Sequence, residues 1–287
     1  MTQTLLPFLK CPDGCDSCIE VSDGKWIDSE LIEGALRCTG CGRTFAVTEG
    51  IARMLPKELA EQPVEREDAN LEEAERKRSE MQARDEQVED YDRMWHLNLF
   101  GLVEIPAMLA NLSLSPPHIL LEGGCGTGRM TPEFASRCSQ LVSVDFSWES
   151  LRVCRRKMLR AGIQNLNLIQ ADLCRLPLRA ETFDRVVSGQ VLEHIPTPAA
   201  RESAVSELSR VLKNGGNLVL SAYQYSLLMQ LFGQKEGEHD GGIYFFRFTR
   251  DELRELLSRH LRVEGITGAL VYHFIARCRK EGLTGKA

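Results

Sequence analysis

The chain has 287 residues, of which 43% are hydrophobic and 26% are charged. This composition is typical of a soluble globular protein, and the length predicts one large domain with a small appendage. No apolar run approaches the roughly 20 residues that a membrane-spanning helix needs, which excludes an integral membrane protein. The first residues lack a basic segment, and Pro7 interrupts their short apolar stretch, so the sequence predicts a cytoplasmic protein.

Charge and cysteines are distributed unevenly along the chain. Residues 1–93 carry 12 basic and 22 acidic side chains, whereas residues 94–287 carry 23 and 19, within an overall net charge of −6. Five of the ten cysteines lie in the first 41 residues. Such clustering indicates metal binding rather than a disulfide framework.

Composition divides the chain into three zones. Residues 1–56 hold the clustered cysteines and are too few to bury a stable core comfortably, so a metal is expected to stabilise them. Residues 57–93 contain 14 acidic and 7 basic side chains and few apolar ones, which favours a solvated linker helix. Residues 94–287 alternate short apolar runs with helical patterns. This alternation predicts a doubly wound, mostly parallel α/β sheet that ends in an antiparallel hairpin around Gly268.

The segment HILLEGGCGTGRM predicts a strand that ends at Glu122 and continues into a glycine-rich turn. Glycine allows a ligand to approach the backbone closely, but a tight turn needs glycine whatever it binds, so this loop alone is weak evidence. Asp145 and Asp172 close the next two predicted strands, about 20 and 50 residues later. The ends of parallel strands meet at one edge of the sheet, where open α/β folds bind ligands.

Four segments of the chain together resemble a known family. LLEGGCGTGR, SVDFSWESL, IQADLCRLPLRAETFDRVVSGQVLEHI and SELSRVLKNGGNLVLS are similar, in this order, to the motifs of class I S-adenosylmethionine-dependent methyltransferases. The resemblance covers about residues 91–280. It implies a Rossmann-like, seven-stranded, mostly parallel sheet with an antiparallel last strand, and S-adenosyl-L-methionine as cofactor. A nicotinamide dehydrogenase is the weaker alternative, because the glycine spacing differs from GxGxxG.

The same resemblance assigns cofactor roles residue by residue. It implies that the amino acid part of the cofactor is bound by Glu122, Gly124, Gly126 and Gly128, and that the ribose is bound by Asp145. The adenine would be bound by Phe146, Asp172 and Leu173. Gln190 would face the methionine part or the acceptor.

The methyl acceptor is less well defined by the sequence. RVVSGQVLEHIP contains neither the Asn-Pro-Pro turn of exocyclic-amine methyltransferases nor the Pro-Cys nucleophile of pyrimidine-carbon methyltransferases, and it is more similar to small-molecule members. His194 and His239 are the candidate catalytic residues, as general bases, although a histidine at position 194 more often packs beside the cofactor loop. The candidates for lining the acceptor pocket are His239, Asp240, Tyr244, Tyr223 and Tyr225, but the FFRFT segment nearby is equally consistent with the packed start of a helix.

A basic stripe keeps a second function open. Arg152, Arg156 and Arg160 fall on one face of the helix predicted after Asp145. Such a stripe can follow phosphates, remain solvated, or pair with the acidic residues at 58–92. We therefore expect a methyltransferase acting on a small molecule. The alternatives are an RNA methyltransferase, which is not favoured because no aromatic residues are interleaved with the stripe, and a non-catalytic cofactor-binding scaffold. No membrane partner is expected, and the oligomeric state is left open.

The cysteines form two pairs. Cys38-Thr-Gly-Cys41 has zinc-knuckle spacing, and CPDGCDSC supplies an upstream pair about 20 residues away, so the sequence predicts a closed, structural four-cysteine zinc site. LLPFLKCPDGC and GALRCTGCGRTFAVTEGIARML resemble the zinc ribbon of the Trm112 family over about residues 5–55. The resemblance implies the ligands Cys11, Cys15, Cys38 and Cys41, with Cys18 as a competitor. It also implies a β-rich module, fused in cis, that stabilises the catalytic domain or recognises substrate.

Overall fold

The computed structural model describes residues 1–15, 17–60, 69–91, 95–239, 242–269 and 272–282. The strands are β1 (Ile19–Ile27), β2 (Glu30–Cys38), β3 (Thr44–Thr48), β4 (Ile51–Arg53), β5 (Ile119–Gly123), β6 (Gln140–Asp145), β7 (Leu166–Gln170), β8 (Phe183–Gly189), β9 (Leu212–Tyr223), β10 (Glu236–Glu238), β11 (Tyr244–Phe246), β12 (Arg262–Ala269) and β13 (His273–Arg279). The helices are α1 (Lys57–Ala60), α2 (Ala69–Tyr91), α3 (Trp95–Leu112), α4 (Thr131–Ala135), α5 (Trp148–Arg160), α6 (Pro198–Val211), α7 (Leu227–Phe232) and α8 (Arg250–Ser258), with short 3₁₀ turns at Gln3–Phe8 and Leu192–His194.

The catalytic half of the sheet has the predicted topology. Its strands lie in the order β7-β6-β5-β8-β9-β13-β12, and β13 runs antiparallel to both of its neighbours. Strands β5 to β9 pair in parallel, and their apolar runs are buried, as expected where helices cover both faces of a sheet. This arrangement confirms the Rossmann-like sheet with an antiparallel last strand. It also brings the carboxyl ends of β5, β6, β7 and β8 to one edge.

The sheet does not stop at seven strands. β4 pairs in parallel with β7, with Ala52 opposite Ile169, and the Met54 N–H donates to the Gln170 carbonyl at 2.8 Å. Strands β3, β2 and β1 continue from β4 as an antiparallel meander, so the main sheet has 11 strands. The expected small β-rich module therefore forms, but it is an extension of the catalytic sheet rather than a separate body. The pairing covers the edge of β7, whose unpaired backbone groups would otherwise be exposed.

One hydrophobic core joins the two parts of this sheet. Phe45 and Val47 of β3 belong to the same buried cluster as Ile169 of β7 and Phe183 of β8. Phe8, from the N-terminal turn, packs edge-on against Phe183 with ring centroids 6.1 Å apart. The N-terminal module and the catalytic part are thus expected to gain stability from each other.

Helix α2 is formed as predicted, but it is not a solvated linker. Ala74 and Val88 are only 5% and 6% exposed, and Met81 packs against a small cluster formed around Leu55 and Leu59. These three residues of α2 recur at intervals of seven, so they share one face of the helix. Residues 61–68 and 92–94 of the predicted linker lie outside the described residues.

The basic helix α5 has partners that differ from the predicted ones. Arg152 forms an ion pair with Glu49 at 2.9 Å, and Arg155 forms one with Glu30 at 2.7 Å. Both acidic residues belong to the N-terminal module rather than to the acidic zone at 58–92. Part of the positive stripe is therefore neutralised where α5 lies against the extended sheet.

The closing hairpin of β12 and β13 is antiparallel as predicted, and residues 270–271 of its connection lie outside the described residues. Within the described ranges, no helix is both long enough and apolar enough to span a bilayer.

Candidate functional site

The glycine loop after β5 is held in conformations that favour glycine. Gly124, Gly126 and Gly128 have φ angles of 77°, 53° and 83°. A Cβ atom at Gly124 would lie 2.2 Å from Cγ2 of Val191, so no larger residue fits there without displacing that side chain. Both Gly124 and Cys125 donate backbone hydrogen bonds to the Val144 carbonyl, at 2.8 and 3.1 Å. The loop is therefore tied to the end of β6.

Asp145 fixes this loop from the neighbouring strand end. Its Oδ2 accepts a hydrogen bond from the Gly126 N–H at 2.7 Å, and its Oδ1 accepts one from the Ser147 N–H at 2.9 Å. Burial raises the pKa of the carboxyl group, and these two N–H donors oppose that rise. Asp145 was predicted to bind ribose hydroxyls. In the structure its side chain lines the cleft, but each oxygen already has one backbone partner.

Asp172, which was predicted to bind the adenine amine, follows β7 at the same edge. Its Oδ1 accepts a hydrogen bond from the Cys174 N–H at 2.9 Å, and its Oδ2 pairs with Nζ of Lys77 at 2.8 Å. Lys77 belongs to helix α2. A residue from the predicted linker thus contacts a predicted cofactor-binding residue.

Glu122 lies behind the loop rather than in the cleft. It is 1% exposed, and its Oε2 accepts hydrogen bonds from Thr131 Oγ1 at 2.8 Å and Ser143 Oγ at 2.7 Å. Its Oε1 is buried and has no hydrogen-bond partner among the described residues. Burial raises the pKa of this carboxyl group to about 7, against the effect of the two hydroxyl donors.

The loops at this edge surround a cleft with about 1190 Å³ of empty space, part of it open to solvent. Most of the predicted site residues meet there, whereas Glu122, Gly128 and His239 are not among the lining residues. The predicted residues that line the cleft are Gly124, Gly126, Asp145, Phe146, Asp172, Leu173, Gln190 and His194.

Gln190 connects the cleft to a buried carboxylate that the sequence reading missed. Its Nε2 donates to Oε2 of Glu104 at 2.6 Å, and the same oxygen pairs with Arg129 at 2.9 Å. Ser221 Oγ donates to the other oxygen at 2.5 Å. Gln190 has a φ angle of 56°, an uncommon conformation for a non-glycine residue that is often found at functional sites.

His194 lines the cleft as a neutral imidazole. Its Nδ1 lies 2.8 Å from the Tyr244 carbonyl, and because a carbonyl only accepts, Nδ1 must carry the proton. Its Nε2 is therefore the free acceptor atom. Burial, assisted by the nearby Arg84 cation, holds the pKa of His194 well below its usual value.

A ring cluster stands behind His194. The ring of Tyr223 lies 5.6 Å from that of His194, 5.9 Å from that of His239 and 5.5 Å from that of His273. His239 thus contacts this ring cluster and does not line the cleft. Asp240, which was predicted to be near it, lies outside the described residues.

Glu193 is a second buried acid that the sequence reading missed. It has no exposed surface, and neither of its carboxylate oxygens has a hydrogen-bond partner among the described residues. Burial raises its pKa to about 8. The group is therefore mostly protonated at neutral pH.

Helix α2 supplies one wall of the cleft, which the sequence reading did not anticipate. The lining residues on this helix are Lys77, Glu80, Arg84, Gln87 and Val88. A usable signal was present, because positions 74, 77, 81, 84 and 88 follow the three-and-four spacing of one helical face. The overall polarity of the segment concealed it.

Three of the four cysteines that the resemblance implies as zinc ligands come together. The sulfur atoms of Cys11, Cys38 and Cys41 all lie within 4.8 Å of one another, and those of Cys11 and Cys41 are 3.8 Å apart. Cys15 interacts with the thiols of Cys41 and Cys38, which raises its pKa. Although burial opposes it, the backbone N–H groups of Cys41 and Gly40 lower the pKa of Cys38 to about 7. The competitor Cys18 is exposed, and its sulfur accepts a hydrogen bond from Arg179 at 3.5 Å.

Comparison with known proteins identifies the part of the chain that forms the cleft. Residues 121–220 match a family described as a methyltransferase domain. This part of the chain is a class I S-adenosylmethionine-dependent methyltransferase domain. The phosphatidylethanolamine N-methyltransferase of Cereibacter sphaeroides is 36% identical to the chain over 102 residues, which cover 35% of this chain and 48% of that protein. A ubiquinone biosynthesis O-methyltransferase of Xylella fastidiosa is 31% identical over 131 residues, covering 46% and 52%.

The methyltransferase fold of the chain also resembles solved structures. One belongs to a complex that contains the Haloferax volcanii Trm112 methyltransferase activator, with a TM-score of 0.55 and 15% identity over 69% of this chain and 98% of the matched chain. At this identity the likeness concerns the fold alone. The chain spans between 41% and 66% of the length of the curated relatives compared.

Proposed function

We propose that the protein transfers a methyl group from S-adenosyl-L-methionine to a small-molecule acceptor. The observation that carries the proposal is the convergence of the methyltransferase loop, Asp145 and Asp172 on one cleft. In this proposal the glycine loop and Asp145 bind the amino acid and ribose parts of the cofactor. Phe146, Leu173 and Asp172 then enclose its adenine.

The residues present are suited to this cofactor. A Cβ atom at Gly126, which lines the cleft, would meet nothing within 4 Å, so the backbone there is open to a closely approaching ligand. Asp172 retains acceptor capacity for an amine, because a carboxylate offers about four lone-pair sites and the described residues occupy two of them. When bound, the cofactor supplies an activated methyl group on a positively charged sulfur.

The chain's own residues then have to place the acceptor and receive its proton. Methyl transfer depends chiefly on holding the acceptor atom in line, so positioning supplies much of the acceleration. Nε2 of His194 is available as a hydrogen-bond acceptor on the cleft wall, and the proposal gives it the hydroxyl or amine proton of the acceptor. Gln190, held by Glu104, would orient the polar end of the same molecule.

Three observations favour a small molecule over RNA. The relatives named above carry names that refer to a lipid amine and to ubiquinone biosynthesis, both of which involve non-polymeric acceptors. Arg152 and Arg155 of the basic helix are engaged by Glu49 and Glu30, which leaves fewer cations for phosphates. The cleft, with apolar residues such as Val191 and Ile195 beside His194, suits a compact acceptor.

Two measurements test the proposal. S-adenosylhomocysteine should bind the purified chain in a calorimeter, and Asp145→Ala should abolish that binding. Methyl-labelled cofactor should then transfer label to a metabolite extract and not to total RNA from the same cells. Label found mainly in RNA would refute the choice of acceptor class, and absence of binding would refute the function itself.

We also propose that the N-terminal module holds one structural zinc ion. A tetrahedral site with Zn–S bonds of about 2.3 Å has sulfur atoms about 3.8 Å apart, which is the separation of Cys11 and Cys41. Cys38 and Cys15 complete the proposed set, and the Cys38 thiol is poised to ionise. The ion would stiffen the meander that ends in β4, which pairs with β7, so the module would support the catalytic domain in cis.

A further inference from the structure

We propose that helix α2 is a gate over the cofactor cleft, latched by the ion pair between Lys77 and Asp172, and that its opening sets the rates of cofactor entry and product release. The proposal rests on the proposed function, because it takes the cleft to be the cofactor site.

The first anchor of the gate is the ion pair itself. Nζ of Lys77 lies 2.8 Å from Oδ2 of Asp172, and the two side chains are only 16% and 13% exposed. Water screens a pair in this setting less than it screens a surface pair. Oδ1 of Asp172 is held within its own loop by the Cys174 N–H, so the carboxylate offers α2 a fixed docking point just after β7.

The second anchor lies eight residues further along α2. Oδ1 of Asp85 accepts hydrogen bonds from Ser147 Oγ at 2.5 Å and from the Glu149 N–H at 3.1 Å. Ser147 is the N-cap of α5, and a carboxylate is stabilised at the positive end of a helix. At 1.5 Å per residue the anchors are about 12 Å apart, so α2 is attached to the loops that follow both β6 and β7.

The part of α2 between the anchors and just beyond the second one forms the outer wall of the cleft. Arg84 extends toward the ring of Phe146, with its guanidinium carbon 6.0 Å from the ring centroid, and Val88 is buried. A molecule that fills the cleft would contact this face of α2 on one side and the strand-end loops on the other. Because α2 forms one wall of a cleft that is only partly open to solvent, movement of α2 away from the loops would widen the path by which that molecule exchanges with solvent.

The latch is compatible with both an empty and a filled cleft. Asp172 keeps lone pairs for an incoming amine while Lys77 stays in place. Breaking the latch should therefore ease opening in both states and raise the association and dissociation rate constants by the same factor. An ordinary binding contact behaves differently, because its loss changes mainly the dissociation rate.

The experiment uses the full chain and S-adenosylhomocysteine as the probe, with both rate constants measured by stopped-flow or surface plasmon resonance. Lys77→Gln should raise both rate constants about fivefold, which is the effect expected from losing an ion pair worth about 1 kcal/mol, the upper end of the range for surface ion pairs. The dissociation constant should stay unchanged within about twofold. Arg76→Gln is the matched control, because Arg76 is an exposed cation on the same helix and does not line the cleft. It should leave both rates unchanged.

Asp85→Asn tests the second anchor, and it should show the same paired rise in the two rates even if Lys77→Gln does not fold. The proposal is overturned if dissociation alone accelerates, if neither rate changes, or if Arg76→Gln has the same effect as Lys77→Gln. A wild-type chain that does not bind the probe would instead overturn the proposed function, and the gate with it.

Discussion

The buried carboxyl group of Glu122 makes a quantitative prediction about stability. Its pKa is raised from 4.5 to about 7 in the folded chain, so the native state holds a proton that the unfolded chain releases. The free energy of unfolding should therefore fall as the pH rises from about 4.5 to about 7. At about 1.4 kcal/mol per pKa unit, ionisation of Glu122 should lower the free energy of unfolding by about 3 kcal/mol in total. About 2.5 kcal/mol of this loss should develop between pH 5 and pH 8.

Glu122→Gln removes the titration and keeps the shape. The amide oxygen can still accept hydrogen bonds from Thr131 and Ser143, but the amide nitrogen takes the place of Oε1, which has no partner among the described residues. That unsatisfied donor should cost about 1 to 3 kcal/mol at any pH. The variant should thus be less stable than the wild type at pH 5 and close to it, or more stable, at pH 8.

Urea unfolding at the two pH values measures this change directly. Subtracting the wild-type value from the variant value at each pH cancels the other titrating groups, including Glu193. A stability difference that stays constant between pH 5 and pH 8 would show that Glu122 does not hold a proton in the native state, and the reasoning from its burial would be wrong.

Three further outcomes are expected. Gly124→Ala should weaken S-adenosylhomocysteine binding at least tenfold, because the new Cβ would collide with a neighbouring side chain and the residue has a positive φ. Gly265→Ala is the control and should not weaken binding, because the space around Gly265 is open. Equal effects of the two substitutions would contradict the role of the loop. Cys38→Ser should lower the zinc content measured by atomic spectroscopy from about one ion per chain to about none, whereas Cys18→Ser should retain it; loss in both variants would bring Cys18 into the ligand set. Ala52→Asp should lower the melting temperature of the whole chain in a calorimetric scan, because it buries a charge at the junction of β4 and β7; two separate transitions in the wild type would argue against a shared core.

The sequence predicted many of the residues that line the cleft, because the patterns that mark them are local. A glycine that must adopt a positive φ, as Gly124 does, or an acid at the end of an apolar run, as Asp145 and Asp172 are, can be recognised within a few residues. The cysteine pairs are recognisable for the same reason, since metal-ligand spacing is a local property. Glu104 could not be found this way, because it lies on a helix before the first motif and meets Gln190 and Ser221 only through the fold.

What the sequence by itself determined is the alternation of strands and helices, the ligand-binding edge of the sheet and the cysteine cluster. What only the tertiary structure decided is where the N-terminal third lies. β4 is three residues long, too short to be recognised as a sheet strand, and it becomes one because the edge of β7 is available to pair with it. Helix α2 is polar overall, and Ala74 and Val88 are buried only because the cluster around Leu55 and Leu59 and the cleft present surfaces that fit them. Long-range pairing of this kind depends on the complementary surface, which no local pattern in the segment itself describes.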